Sequence, residues 1–205
     1  MNGQQVAPTK GNLLNTKKSL EFATMGFDLL DKKRNILVRE MMSLIDRATE
    51  IQNKIDSTYA EAYKALQMAN VTNGICQSIA KSIPEEDSLV LSYRSVMGVE
   101  IPILSIQKDK YGDGFLPFDL EITNEPMDEA YHKFMSVKLL TVELAEIETS
   151  VYRLADAIKK TQKRANALKN VMIPKFKETI KTITAVLEES NRDKFSTLKL
   201  LKKHS

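Results

Sequence analysis

Apolar residues recur at alternating three- and four-residue intervals at both ends of this chain. That spacing persists too long for an ordinary amphipathic helix. With position a at Leu13 and every seventh residue to Ala69, and d at Thr16 through Ala65, fourteen of seventeen seam positions are apolar. The exceptions are Thr16, Arg34 and Thr58. Near the other end, a falls on Val137, Leu144, Val151, Ile158, Ala165 and Met172, and d on Leu140, Ile147, Leu154, Thr161 and Leu168; ten of these eleven are apolar. A 3.5-residue repeat held this long specifies a coiled coil. The expected fold is mainly α: a long antiparallel two-helix coiled coil with a small β-hairpin between the helices.

Breakers divide the chain into an N-terminal helix (1–83), a middle segment (84–125) and a C-terminal helix (126–205). Asn73-Gly74 is a weak point late in the first helix, and Ile83-Pro84 is a firmer stop, because a residue before proline avoids the α region. Val99–Leu104 is β-prone, and Lys110-Tyr111-Gly112-Asp113-Gly114 is a turn cluster. These predict strands near 99–106 and 114–121. Helices of ~70 and ~75 residues span about 105 and 110 Å. Folded back antiparallel, they place opposite each other residues whose numbers add to about 205, with the β segment at the far end.

The second seam slips. It runs to Met172 and resumes one residue late at Ile173, Phe176, Ile180, Ile183 and Leu187. From Ile158 to Ile173 that is about 3.75 residues per turn, which locally undoes a left-handed supercoil. Pro174 lies in the slip and frees the carbonyl of Asn170. Arg34 is the one charged residue on the first seam, and the facing rule brings it to this level. Its guanidinium is expected to reach a carbonyl or carboxylate near residues 168–174 and fix the register.

A two-helix seam cannot cover every apolar residue. Phe22, Leu29 and Ile36 fall at c and Met25 at f, facing well away from the seam. Such a stripe, extended by Met42 and Ile45, implies contact with another protein. Lysines, among them Lys10, Lys199 and Lys202, are expected to converge at the same end. With a net charge of only +3, and without interleaved aromatic platforms, nucleic acid is not called for.

Chemistry is harder to find. There is no phosphate-binding loop, His132 and His204 lack ligand spacing, and no Ser/His/Asp order can be assembled. Glu143, Glu146 and Glu148 read as surface residues. No catalytic, cofactor-binding or metal-ligating residue is assigned, and no cofactor is expected. A single cysteine, Cys76, excludes an internal disulfide and fits a reducing compartment. No run reaches the length of a membrane span. The alternative reading is a coiled-coil tether or nucleic-acid-associated rod, dimerising through a parallel seam.

Several stretches match a known family. Ala7-Pro8-Thr9-Lys10, Leu20-Glu21-Phe22-Ala23 and Gly26 through Arg34 resemble the opening of the D subunit of V-type and A-type rotary ATPases. Lys163-Arg164-Ala165-Asn166-Ala167-Leu168, Ile173-Pro174, Thr179-Ile180 and Leu187-Glu188-Glu189 resemble its closing helix. Val96-Met97-Gly98-Val99 with Pro102 is similar to its middle. The sequence departs at Asn35, where the family usually has an acidic residue, and at Lys163, where arginine is commoner. The resemblance implies a non-catalytic central rotor shaft that couples ATP hydrolysis or synthesis to proton or sodium transport. Its implied partners are the hexamer of three catalytic A and three non-catalytic B subunits, a small F subunit along the shaft, and the funnel-shaped subunit (C or d) on the membrane rotor ring. It implies a peripheral location on the cytoplasmic side of the membrane. Lys10, Phe22, Met25, Leu29, Ile36, Lys199 and Lys202 would then form the bearing.

Overall fold

In the computed structural model, residues 7–74, 81, 88–106 and 124–204 are described. The elements are helix α1 (Lys10–Asn73), strands β1 (Leu89–Val96) and β2 (Val99–Ile106), helix α2 (Glu125–Ala167), a π turn (Leu168–Met172) and helix α3 (Ile173–His204). The first helix starts at a cap not anticipated from the sequence: Thr9 Oγ1 accepts the Asn12 amide at 3.2 Å, satisfying an otherwise unpaired first-turn donor. It ends at the weak point, not at Ile83-Pro84, with Gly74 at φ 78° in the left-handed cap that glycine adopts without strain. Helix α2 opens where expected. The Asn124 carbonyl accepts the Met127 amide at 2.9 Å, and Glu125 and Asp128 in the first turn suit the positive end of the helix dipole.

The chain forms two compact units, residues 1–35 with 158–205, and residues 36–157. In the first, Ala23, Ala165 and Ile183 are buried, and Gly26 lies against Leu168. In the second, Ile51, Ile55 and Ile147 form one core with Leu44, Leu140, Leu144 and Val151 around it. Ala65, Ala69, Met127 and Ala130 form another. Every α1 seam position from Leu13 to Ala69 is at least half-buried. Rising numbers on α1 meet falling numbers on the later helices, so in each unit the seam is satisfied antiparallel within one chain.

The register differs from the flush-ended expectation. Gly26 meets Leu168, Arg34 meets Gln162, Arg47 meets Glu143 and Glu61 meets Lys133. These numbers add to between 190 and 196, about ten below the expected 205. Leu44 accordingly packs against the core that contains Ile147, short of the residues near 161 that the flush-ended rule places opposite it. The physical reason is that side-chain interdigitation sets register, whereas the expectation had aligned the chain ends.

Strand 99–106 forms as expected, but its partner is 89–96, antiparallel, with Val96 opposite Val99. The expected second strand, 114–121, lies outside the described residues. Met97 and Gly98 make the turn, at φ 51° and 77°, the two positive angles of the two-residue hairpin turn that matches strand twist. Methionine is an unusual occupant of such an angle. Met97→Asn should therefore slow amide exchange across β1 and β2, and Gly98→Ala should speed it by an amount equivalent to about 1 kcal/mol.

The hairpin does not sit near the Asn73 end of its unit. It lies against Glu40 on α1 and Glu146 and Arg153 on α2, roughly 50 Å along α1 from Asn73 at 1.5 Å per residue. The outer edge of β2 explains the placement. Counting from the turn, Glu100, Pro102 and Leu104 direct their backbone polar groups outward. Arg153 Nη1 donates to the Glu100 carbonyl at 3.1 Å, and the Leu104 amide donates to Glu146 Oε2 at 2.7 Å. Pro102 has no donor to satisfy. The strand edge is thus capped by helix side chains, with Ile101 fully buried.

Candidate functional site

In the first unit Phe22 and Leu29 are 68% and 67% exposed, and Met25 is also exposed. Their positions follow from the helix. Once Ala23, Phe27 and Leu30 turn to the seam, residues at c and f point to solvent. Ile36, Met42 and Ile45, in the second unit, are exposed as well. A second exposed group, Tyr63, Met68 and Val71, lies outside the stripe read from the sequence, which ended at Ile45. The heptad could have found it, since these residues occupy b, g and c. Tyr63 stacks on Tyr59 at 5.9 Å and meets Phe134 edge-on at 5.6 Å between centroids. Such aromatic surface favours protein contact.

Lys10, Lys199 and Lys202 are exposed, but the register separates them. With Gly26 level with Leu168, Lys10 falls level with residues near 184. Lys199 is then about 22 Å farther along α3. From Asn191 to Leu200 every α3 residue is exposed, including Phe195, Leu198 and Leu200. This stretch lies beyond the start of α1 and carries its own apolar and basic side chains.

Arg34 does not reach residues 168–174. Its Nη1 donates to Gln162 Oε1 at 2.7 Å, its Nη2 donates to Asn35 Oδ1 at 3.0 Å, and it pairs with Asp31 at 2.8 Å. The shifted register accounts for the change of partner, because Gln162 occupies the level at which residues 168–174 were expected. Gln162 in turn donates to Asn166 Oδ1 at 2.8 Å. The slip at Pro174 takes the form of a π turn: the Ile173 amide donates to the Leu168 carbonyl, five residues back. One extra residue in a turn is what a fifteen-residue, four-turn spacing requires.

Charged pairs tie the helices of the second unit. Glu143 accepts from Arg47 and Glu146 holds the hairpin, so two of the three glutamates read as surface residues have structural partners. Arg94 pairs with Glu40 at 2.9 Å, and the Arg153 guanidinium lies 5.4 Å over the Tyr93 ring, within cation–π range.

Lys133 Nζ donates to Glu61 Oε2 at 2.6 Å. This hydrogen bond and the paired charge hold the Glu61 carboxyl below its ordinary range and raise the Lys133 amine. The pair therefore supports the fold above the ordinary carboxylate range and loses its effect as pH falls through the lowered Glu61 value. At the alkaline end it is lost as pH rises through the raised Lys133 value. Lys133→Met should return the Glu61 titration, followed by NMR, to the ordinary carboxylate range.

Among the described residues no group of three metal-ligating side chains occurs. No described helix is long and apolar enough to cross a membrane. Two antiparallel helix pairings, a capped hairpin and exposed apolar and basic surface define a class: a long-helix subunit organised for contact with other proteins. The sequence profile of the ATP synthase D subunits matches residues 12–203. The chain is 43% identical to the D subunit of the V-type ATP synthase of Thermotoga neapolitana over 199 residues, 96% of this chain and 97% of the relative. It is 32% identical to the D subunit of the A-type ATP synthase of Thermococcus sibiricus over 203 residues, 97% and 94% of the two chains. The corresponding protein of Pyrococcus furiosus is 32% identical over 200 residues, with the same coverage. The chain belongs to the family of ATP synthase D subunits, and is a subunit of the V/A-type rotary ATPases.

Proposed function

We propose that this chain is the non-catalytic central shaft of its rotary ATPase. It transmits torque between the hexamer of A and B subunits and the membrane rotor ring, and so couples ATP hydrolysis or synthesis to proton or sodium transport. The observation that carries this reading is the exposed apolar surface of α1 in the first unit. Phe22, Met25 and Leu29 are exposed on a helix whose seam is already satisfied, so their burial requires another protein. Lys10, Lys199 and Lys202, with the α3 stretch around Phe195, extend that contact into the hexamer. Ile36, exposed in the second unit, is likewise a partner contact. The F subunit and the funnel-shaped subunit of the rotor ring bind other faces, for which the Tyr63, Met68 and Val71 surface is suited. The chain works peripherally, on the cytoplasmic side of the membrane.

Adding the full-length chain to membranes stripped of this subunit tests the reading. Restored ATP-driven ion uptake is the expected result. Full coupling in its absence would overturn the proposal.

A further inference from the structure

We propose that the outer edge of β1 receives an extended strand of another subunit, which joins the hairpin as its third strand. The chain treats the two edges of the hairpin differently. On β2, Arg153 and Glu146 bond the outward backbone groups of Glu100 and Leu104, and Pro102 between them has no donor to satisfy. Opposite these three on β1 stand Ser95, Tyr93 and Leu91, with Leu89 beyond. Such positions turn their N–H and C=O away from the partner strand. The sheet has two strands only, so this row meets no further strand. Among the described residues, side-chain bonds to the hairpin backbone fall on Val90, Glu100, Ile103 and Leu104, and none on the row.

Nothing on β1 protects it. Exposed edges are ordinarily blunted by lysine, proline, a bulge or a covering element. The strand LVLSYRSV holds no lysine and no proline, and its register with β2 is unbroken from Leu89 to Val96. Its one charge, Arg94, is drawn to Glu40 on α1. The side chains suit an apolar strand: Leu89, Leu91 and Tyr93 share one face and are each more than half exposed, and Val90 is exposed on the other. An added strand sets its own side chains beside these while its backbone bonds the open row. In that mode main-chain bonds give affinity and alternate side chains give specificity. The occupant is therefore an extended protein segment with apolar residues at alternate positions. A two-stranded ribbon is marginal by itself, and a third strand would stabilise it. The inference needs the chain to be assembled with other subunits and does not need it to turn, so its failure would leave the shaft reading standing.

Amide exchange in the full-length chain, free and within the assembled ATPase, tests it, with the chain isolated after quenching and read by NMR. In the free chain Ser92 and Arg94 should be protected by the β2 ladder, while Leu91 and Tyr93 exchange at nearly unprotected rates. Assembly should slow Leu91 and Tyr93 by about a hundredfold or more. A second arm measures competition with the unmodified chain for ATPase stripped of this subunit. Leu91→Pro deletes an outward donor without touching the ladder to β2 and should bind about tenfold more weakly or worse. Leu91→Val keeps the donor and should stay within about threefold. Protection of Arg94 in the free Leu91→Pro chain verifies that the hairpin holds, and the exchange comparison decides without any variant. Unchanged exchange of Leu91 and Tyr93 on assembly overturns the inference. So does their protection in the free chain, whether by a second copy or by another segment, and so does equal competition by the two variants.

Discussion

Leu154→Ala should lower the unfolding free energy by about 2–5 kcal/mol, the cost of emptying a fully buried leucine site. Leu37→Ala should cost a similar amount, because both side chains are 0% exposed and both lie on the seam of the second unit. Leu29→Ala makes the same chemical change on the outward face, where surface substitutions usually stay within about 0.5 kcal/mol. Urea unfolding followed by circular dichroism measures all three. The contrast is the point, since a coiled-coil seam and a partner surface made of the same residue type respond oppositely in the free chain. A Leu29→Ala loss as large as that of Leu154→Ala would place Leu29 in the chain's own core.

Replacing Phe22, Leu29 and Ile36 together with serine should leave the free chain folded but weaken its binding to the hexamer of A and B subunits. Burying one such side chain contributes about 1.5–3 kcal/mol, and each 1.4 kcal/mol is tenfold in affinity. Removing three buried contacts then predicts a loss of at least about a thousandfold. Binding of the purified hexamer to immobilised chain checks this, and helix content by circular dichroism is the control. Undiminished binding would remove these residues from the bearing, and a large loss of helicity would make them core residues.

The helical part of the fold was legible because burial on a long helix leaves a periodic record. The seam from Leu13 to Ala69 and the one-residue slip before Pro174 were both read from spacing, and the slip is the π turn. What spacing does not record is which residues meet across a seam, so the register was about ten off and Arg34 was assigned the wrong partners. The hairpin was legible as one strand only. Gly112-Asp113-Gly114 is a strong turn signal, whereas Met97-Gly98 relies on a methionine at φ 51°, which residue preferences discourage. Glu146 and Arg153 were beyond reach for a different reason. They cap a strand edge from a helix some fifty residues away, and such pairing is decided only in three dimensions. The apolar outward residues Phe22, Met25 and Leu29 were legible as exposed, because the same heptad that fills a seam identifies what it leaves out.

The most direct test of a rotating shaft is to watch it turn. The hexamer is fixed to a surface through its catalytic subunits, and a probe is attached to this chain at Glu189, on the exposed part of α3, so that its orientation can be followed during ATP hydrolysis. The account predicts unidirectional, stepwise rotation with the threefold periodicity of the hexamer, stopping when ATP is removed. Sustained hydrolysis by the intact complex with the probe at a fixed orientation would contradict it.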